Sequence, residues 1–145
     1  MEHNKIKAYF LRVDEDLRLP YQGYLGEIEN TLSAKQKYVN FGKANGSIQV
    51  VSLTDEIDII CHDEGKLLGF PANRAWLDNE GEVLDLLVGN LLVVRCEGPD
   101  FTSIRESDIP YIEEYLKPVR VMDEVLVPIP PEILPKCNGG SLYVR

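Results

Sequence analysis

Residues 57–74 read IDIICHDEGKLLGFPANR. The first six are β-rich, and Asp63-Glu64-Gly65-Lys66 offers a turn before the apolar run Leu67-Leu68-Gly69-Phe70. This pattern predicts a hairpin whose turn centres on Glu64-Gly65, with the glycine supplying positive φ. Pro71-Ala72-Asn73-Arg74 is expected to leave the sheet as a loop. Adjacent residues of a strand face opposite sides, so Cys61 and His62 make a poor thiolate–imidazole pair.

Working outward, residues 47–53 (SIQVVSL) form a further β-rich run, and residues 5–13 (KIKAYFLRV) predict the first strand. Residues 14–26 read as a connection rich in Asp, Pro and Gly. Asn30 or Thr31 is expected to cap a helix running to about Asn40, with Gly42 suited to the left-handed position that ends it. Leu32, Tyr38 and Val39 supply its apolar positions. Residues 83–88 fit a strand or a short helix, and residues 91–95 a strand, with Gly89-Asn90 breaking the two. Ser107 is expected to cap a short helix to Lys117, with Pro110 tolerated in its first turn and Pro118 stopping it. After that come five of the nine prolines, counting Pro118. Strands are expected near 121–127 and 141–144, with a turn at Gly139-Gly140. The fold class is therefore α+β: a small, mostly antiparallel sheet with two short helices and an irregular C-terminal appendage. Residues 1–118 are expected to form a single domain and 119–145 a docked tail, too short for a core of its own.

The chain has 145 residues, of which 44 % are hydrophobic. A domain of that length buries roughly 68–70 % of its unfolded surface and needs no disulfide or metal to fold. Cys61, Cys96 and Cys137 are odd in number and widely spaced, with no CxxC pair, and read as thiols in a reducing compartment. The N-terminus lacks the apolar stretch of a secretion signal, and no run approaches the ~20 apolar residues of a membrane span. A cytoplasmic protein is expected, without a membrane partner.

The formal charge is −9, from 15 basic and 24 acidic side chains. Between Asp55 and Asp85 nine acids face only Lys66 and Arg74, a local net of −7. Residues 97–114 add six acids against Arg105. Direct nucleic-acid binding is not expected, because phosphate contacts need clustered Lys and Arg. Such acidity serves either solubility or the docking of a basic partner.

No GxGxxG, Walker, GxSxG or HExxH pattern occurs, and two histidines are too few for a histidine-based metal site. No catalytic residue, metal ligand or cofactor is assigned. The candidate binding residues are Asp63, Glu64, Lys66, Asn73, Arg74 and Asp100. A Pro-Ala-Asn-Arg loop can hold a guanidinium against a carboxylate or phosphate, and the structural alternative pairs Arg74 with Asp85 or Asp100. Asp100-Phe101-Thr102-Ser103 reads as helix-capping residues, or as an anion site at a helix start.

Taken together, His62-Asp63-Glu64-Gly65-Lys66-Leu67, Gly69, Pro71, Asn73, Arg74, Gly81-Glu82, Gly89 and Asp100-Phe101-Thr102-Ser103 resemble a family of uncharacterised domains found in phages, plasmids and conjugative elements. The resemblance covers roughly residues 5–117. It implies an accessory protein that acts on host machinery, and no catalytic role comes with it. The expected function is non-catalytic binding of a host protein with a basic surface, as in counter-defence inhibition. An alternative is a small-ligand domain, binding a nucleotide through Lys66, Asn73 and Arg74. A second alternative is a hydrolase with Asp63, Glu64 and Asp100 around a divalent metal.

Overall fold

The computed structural model describes residues 4–137. In chain order the elements are β1 (Lys5–Leu11), β2 (Val13–Asp14), β3 (Leu19–Pro20), β4 (Tyr24–Glu29), α1 (Leu32–Val39), β5 (Ile48–Ser52), β6 (Ile57–His62) and β7 (Ala72–Leu77). Then follow β8 (Val83–Val88), β9 (Leu91–Glu97), β10 (Asp100–Thr102), α2 (Ile109–Tyr115), β11 (Leu116–Met122) and β12 (Val125–Pro128). Two 3-10 turns, Glu106–Asp108 and Pro131–Ile133, complete the described chain.

The main sheet has the order β4-β1-β9-β6-β5, with β10 also paired to β9, and a second sheet has the order β12-β11-β7-β8. Neighbouring strands are antiparallel in both, so the α+β, mostly antiparallel expectation holds. Strand periodicity explains how the main sheet is buried. Ile57, Ile59, Cys61, Leu91 and Val93 point to one face, where Leu87 of β8 and Ile112 of α2 cover them. Ile60, Leu92 and Val94 point to the other, against Tyr38 and Val39 of α1. Strands buried on both faces read as nearly continuous apolar runs, which is why 57–62, broken only by Asp58 and His62, and 91–94 are so legible.

The stretch 57–74 is not a hairpin. β6 already has β9 on one edge and β5 on the other, so no edge is free for a returning strand. Residues 63–69 coil instead into turns closed by Leu68 N–H to Glu64 O (2.9 Å) and Phe70 N–H to Gly65 O (3.0 Å). The left-handed residue is Gly69, at φ +75°, rather than Gly65. Leu67 and Leu68, read as strand, are 84 % and 53 % exposed. Phe70 is the anchor, edge-on to Phe41 and His62. The hairpin forms upstream, between β5 and β6, where Thr54 Oγ1 accepts from the backbone N–H of Glu56 and Ile57.

Residues 71–74 are not a loop. Ala72 opens β7, an inner strand of the second sheet, so the coil 63–71 carries the chain from one sheet to the other. Residues 83–88 are a strand. Gly89 follows at φ +74°, and a Cβ there would lie 2.8 Å from Phe70 Cδ2. Gly89→Ala combines a left-handed penalty of about 1–2 kcal/mol with that clash. A loss of about 2–3 kcal/mol is expected in urea denaturation, whereas Gly81→Ala, with open space at φ +83°, should cost only the backbone part.

The first helix is as expected. Thr31 Oγ1 accepts from Ala34 N–H, Tyr38 and Val39 are buried, and Gly42, at φ +83°, donates back to Lys37 O. Leu32 departs from the expected face and is exposed. The second helix starts later than expected, and Ser107 does not cap it. Asp100, Phe101 and Thr102 form a strand instead of a cap, turned back on β9 through Gly98-Pro99 with Glu97 opposite Asp100. Pro118 lies within β11, opposite Arg74. The expected 121–127 strand is two strands joined at Asp123-Glu124, both at positive φ, as a tight hairpin of this type requires. The turn at 139–140 and the strand at 141–144 lie outside the described residues. No helix among the described residues is long and apolar enough to cross a membrane.

Candidate functional site

The register of β7 shifts between Ala72, opposite Val88, and Arg74, opposite Leu87. Asn73 is the extra residue of this bulge, and the irregularity turns both Asn73 and Arg74 inward, where they are 0 % and 4 % exposed. Asn73 Nδ2 donates to Leu11 O (2.8 Å) of β1 and Gly89 O (2.7 Å), pinning the second sheet to the first. Asn73 Oδ1 accepts from Arg74 Nη1 at 2.7 Å, and Arg74 Nη2 donates to Tyr21 O at 3.1 Å. Arg74 pairs with neither Asp85 nor Asp100.

Arg74 lines a cavity of about 610 Å³ between the second sheet, α2 and the 3-10 turn at 131–133. Glu113, Glu114, Lys117 and Glu132 share that lining, with apolar walls from Pro110, Leu116 and Leu134. Glu113 Oε2 accepts a hydrogen bond from the Tyr9 hydroxyl. Burial, reinforced by that carboxylate, pushes the Tyr9 hydroxyl well above the usual phenol range. Burial lowers Arg74 to about 10, opposed by the nearby Tyr9 and Glu113, so it stays protonated at neutral pH.

Asp63, Glu64 and Lys66 border a different hollow, also of about 610 Å³, with Gln49, Cys61, His62 and Asp85. Lys66 Nζ meets Asp85 Oδ1 at 2.6 Å, but their side chains are 60 % and 43 % exposed, so the pair contributes little to stability. His62 Nδ1 accepts from the backbone N–H of Glu64. Asp100 lines neither hollow and sits at the β9–β10 turn. The six candidate residues therefore fall in three places. Asp63, Glu64 and Lys66 come together, Asn73 and Arg74 join the sheets, and Asp100 stands at the opposite end of the main sheet.

Cys61 faces the core of the second-sheet side, while His62 packs edge-on against Phe70. Burial, with Asp85 and Asp63 adding to it, pushes the Cys61 thiol up to about 11. Alkylation by iodoacetamide at pH 8 should therefore leave Cys61 unmodified in the folded protein, with labelling appearing only in denaturant. Among the described residues no group of three or more His, Cys, Asp or Glu side chains is placed to hold a metal ion. Asp63 and Glu64 do not meet Asp100, so the hydrolase arrangement of these three is not assembled.

The acids of the sequence are likewise divided. Asp55 and Glu56 precede β6 and Asp63 and Glu64 follow it, so a strand of six residues, roughly 20 Å, separates the pairs. At the Asp55 end, Ile57 faces Arg95, Cys96 N–H donates to Glu56 O, and the turn between Glu97 and Asp100 follows directly. Glu106 and Asp108 lie there too, because Arg95 Nε and Nη2 donate to Asp108 at 2.7 and 2.8 Å. That end gathers Asp55, Glu56, Glu97, Asp100, Glu106 and Asp108 around Arg95 and Arg105. Lys5 and Lys7 of β1 flank it, Lys7 being bonded to Ser103 and Ile104 beyond β10. Tyr9, Tyr21, Glu113 and Glu132 carry no local signal in the sequence; only the fold brings them to Arg74.

A family model described as Domain of unknown function (DUF3846) matches residues 7–119, which takes in the 61–74 stretch and residues 100–103. No curated protein and no solved structure matches the chain significantly.

Proposed function

The chain belongs to the DUF3846 family, a domain of unknown function, and we propose that it is a non-catalytic accessory protein of a phage or mobile element that binds a host protein. The partner carries a basic surface, and the acidic end of the main sheet meets it. The observation that carries this reading is the clustering of Asp55, Glu56, Glu97, Asp100 and Glu106, all exposed, around Arg95 and Arg105, with Lys5 and Lys7 only at its flank. Arg95 is already committed to Asp108 in a two-point bond, and reaches Glu56 only at 3.6 Å. The Glu56 side chain is 72 % exposed, so its carboxylate stays open to a partner. A surface of one sign steers association with a surface of the other and rejects like charge. The mobile-element setting is supported by the motif resemblance of residues 62–74 and 100–103.

The test is capture from a bacterial host lysate by the immobilised protein. One predominant basic protein should be retained at low salt and released as salt rises, since the screening length falls from about 10 Å at 0.1 M to about 3 Å at 1 M. The variant Asp55→Asn/Glu56→Gln/Glu97→Gln/Asp100→Asn should retain none. An empty capture, or one indifferent to salt, overturns the proposal.

A further inference from the structure

The cavity at Arg74 holds a buried guanidinium with no carboxylate in direct contact. Arg74 is 4 % exposed, yet its short-range partners are neutral oxygens, the side chain of Asn73 and the backbone of Tyr21. Among the described residues no carboxylate lies within ion-pair distance of it. Glu113 faces the same cavity and keeps its charge while accepting from the neutral Tyr9 hydroxyl, so it acts on Arg74 only at longer range. A guanidinium offers five N–H donors in a planar fork, and the two oxygens take one each. A buried cation in this state favours an incoming carboxylate or phosphate strongly, because desolvation has already been borne by the fold.

The rest of the lining decides which anion. Glu113, Glu114 and Glu132 outnumber Arg74 and Lys117, so the cavity as a whole is negative. A polyphosphate would meet three carboxylates, and Lys66 is in another hollow, which removes the nucleotide arrangement of Lys66 with Arg74. A simple cation would leave Arg74 unmatched. A molecule bearing both charges satisfies both parts. The volume of about 610 Å³ is ordinary for a small-molecule site, and Pro110, Leu116 and Leu134 give it apolar walls. We infer that this cavity binds a small zwitterion of amino-acid or dipeptide size, its carboxylate on the Arg74 guanidinium and its ammonium against Glu113, Glu114 and Glu132. This site is separate from the acidic end of the main sheet and stands or falls independently of it.

The test is calorimetric titration of the full chain with L-phenylalanine and with the dipeptide glycyl-L-phenylalanine. The comparison ligands are 3-phenylpropionate, which lacks the ammonium, and phenethylamine, which lacks the carboxylate. At least one zwitterion should bind saturably and about tenfold more tightly than either single-charge analogue. Its binding should shift the methyl resonances of Leu116 and Leu134. Arg74→Lys keeps the charge but loses the fork, and should weaken binding about tenfold. Glu114→Gln/Glu132→Gln alters two exposed positions, and should weaken the zwitterion several-fold without weakening 3-phenylpropionate. That pair decides the matter if Arg74→Lys fails to fold. The inference is overturned if neither zwitterion saturates at concentrations on the order of 10 mM. It is equally overturned if phenethylamine binds as tightly, if the two leucines do not respond, or if the glutamine pair binds the zwitterion unchanged.

Discussion

Asn73→Ala should lower the stability of the domain by about 4 kcal/mol, the largest loss expected of any single substitution considered for this chain. The side chain is wholly buried and makes three bonds at 2.7 to 2.8 Å. Its removal leaves Gly89 O and one donor of Arg74 without their partner, and Leu11 O with only the long bond from the Tyr38 hydroxyl at 3.5 Å, at about 1–3 kcal/mol for each buried group left unsatisfied. The effect also crosses the molecule, since Leu11 belongs to β1 of the main sheet and Asn73 to β7 of the second. Equilibrium urea unfolding should show a lower midpoint with an unchanged slope. A loss below about 1 kcal/mol would mean that solvent or a rearranged Arg74 fills the gap, and that the bulge does not join the sheets.

Asp108→Ala should cost about 3 kcal/mol, the range for breaking one side of a largely buried, two-point ion pair. Asp108 accepts from Arg95 twice and from the Arg105 backbone N–H, and the two side chains are 8 % and 14 % exposed. The Arg95 hydrogen bonds hold its carboxyl below the usual range, against burial, which acts the other way. A carboxyl whose pKa is depressed in the folded state stabilises above its unfolded pKa and loses that contribution as the pH falls toward the folded value. The wild-type protein should therefore lose stability steadily below about pH 4. Asp108→Asn should show a shallower decline. Asp14, lowered mainly by the Leu17 backbone N–H, keeps the remaining slope in that variant. Identical acid profiles for the two proteins would remove Asp108 from the account.

The strands that were legible are those whose burial the chain itself spells out. Residues 57–62 and 91–94 are buried on both faces, so they are dense in Ile, Leu and Val, with only Asp58 and His62 breaking the apolar run. Helix α1 was legible from Thr31 and Gly42, which act within the helix's own turns. The hairpin at 57–70 was misread because its alternative is not local. Whether Leu67 to Phe70 can return along β6 depends on β9, which occupies that edge from more than twenty residues further on. The same holds for Asn73 and Arg74: the sequence marks them as unusual, but the bulge that turns both inward is a property of pairing with β8. The bond between Tyr9 and Glu113 joins positions 104 apart, and no spacing rule anticipates it. The acidity was legible as a total, while its division between the two ends of β6 follows only from the strand's direction.

That division is the point on which the functional reading turns, and a charge-matched comparison addresses it directly. One variant neutralises Asp55, Glu56, Glu97 and Asp100 as amides; the other neutralises Asp63 and Glu64 beyond the far end of β6 together with Glu80 and Glu82 of the turn between β7 and β8. Each removes four negative charges from the same formal −9. The affinity of both for the captured basic host protein is then measured at one low ionic strength. Binding should be lost in the first variant and kept near the wild-type value in the second. Equal weakening of both would show that net charge, and not the acidic end of the main sheet, holds the partner.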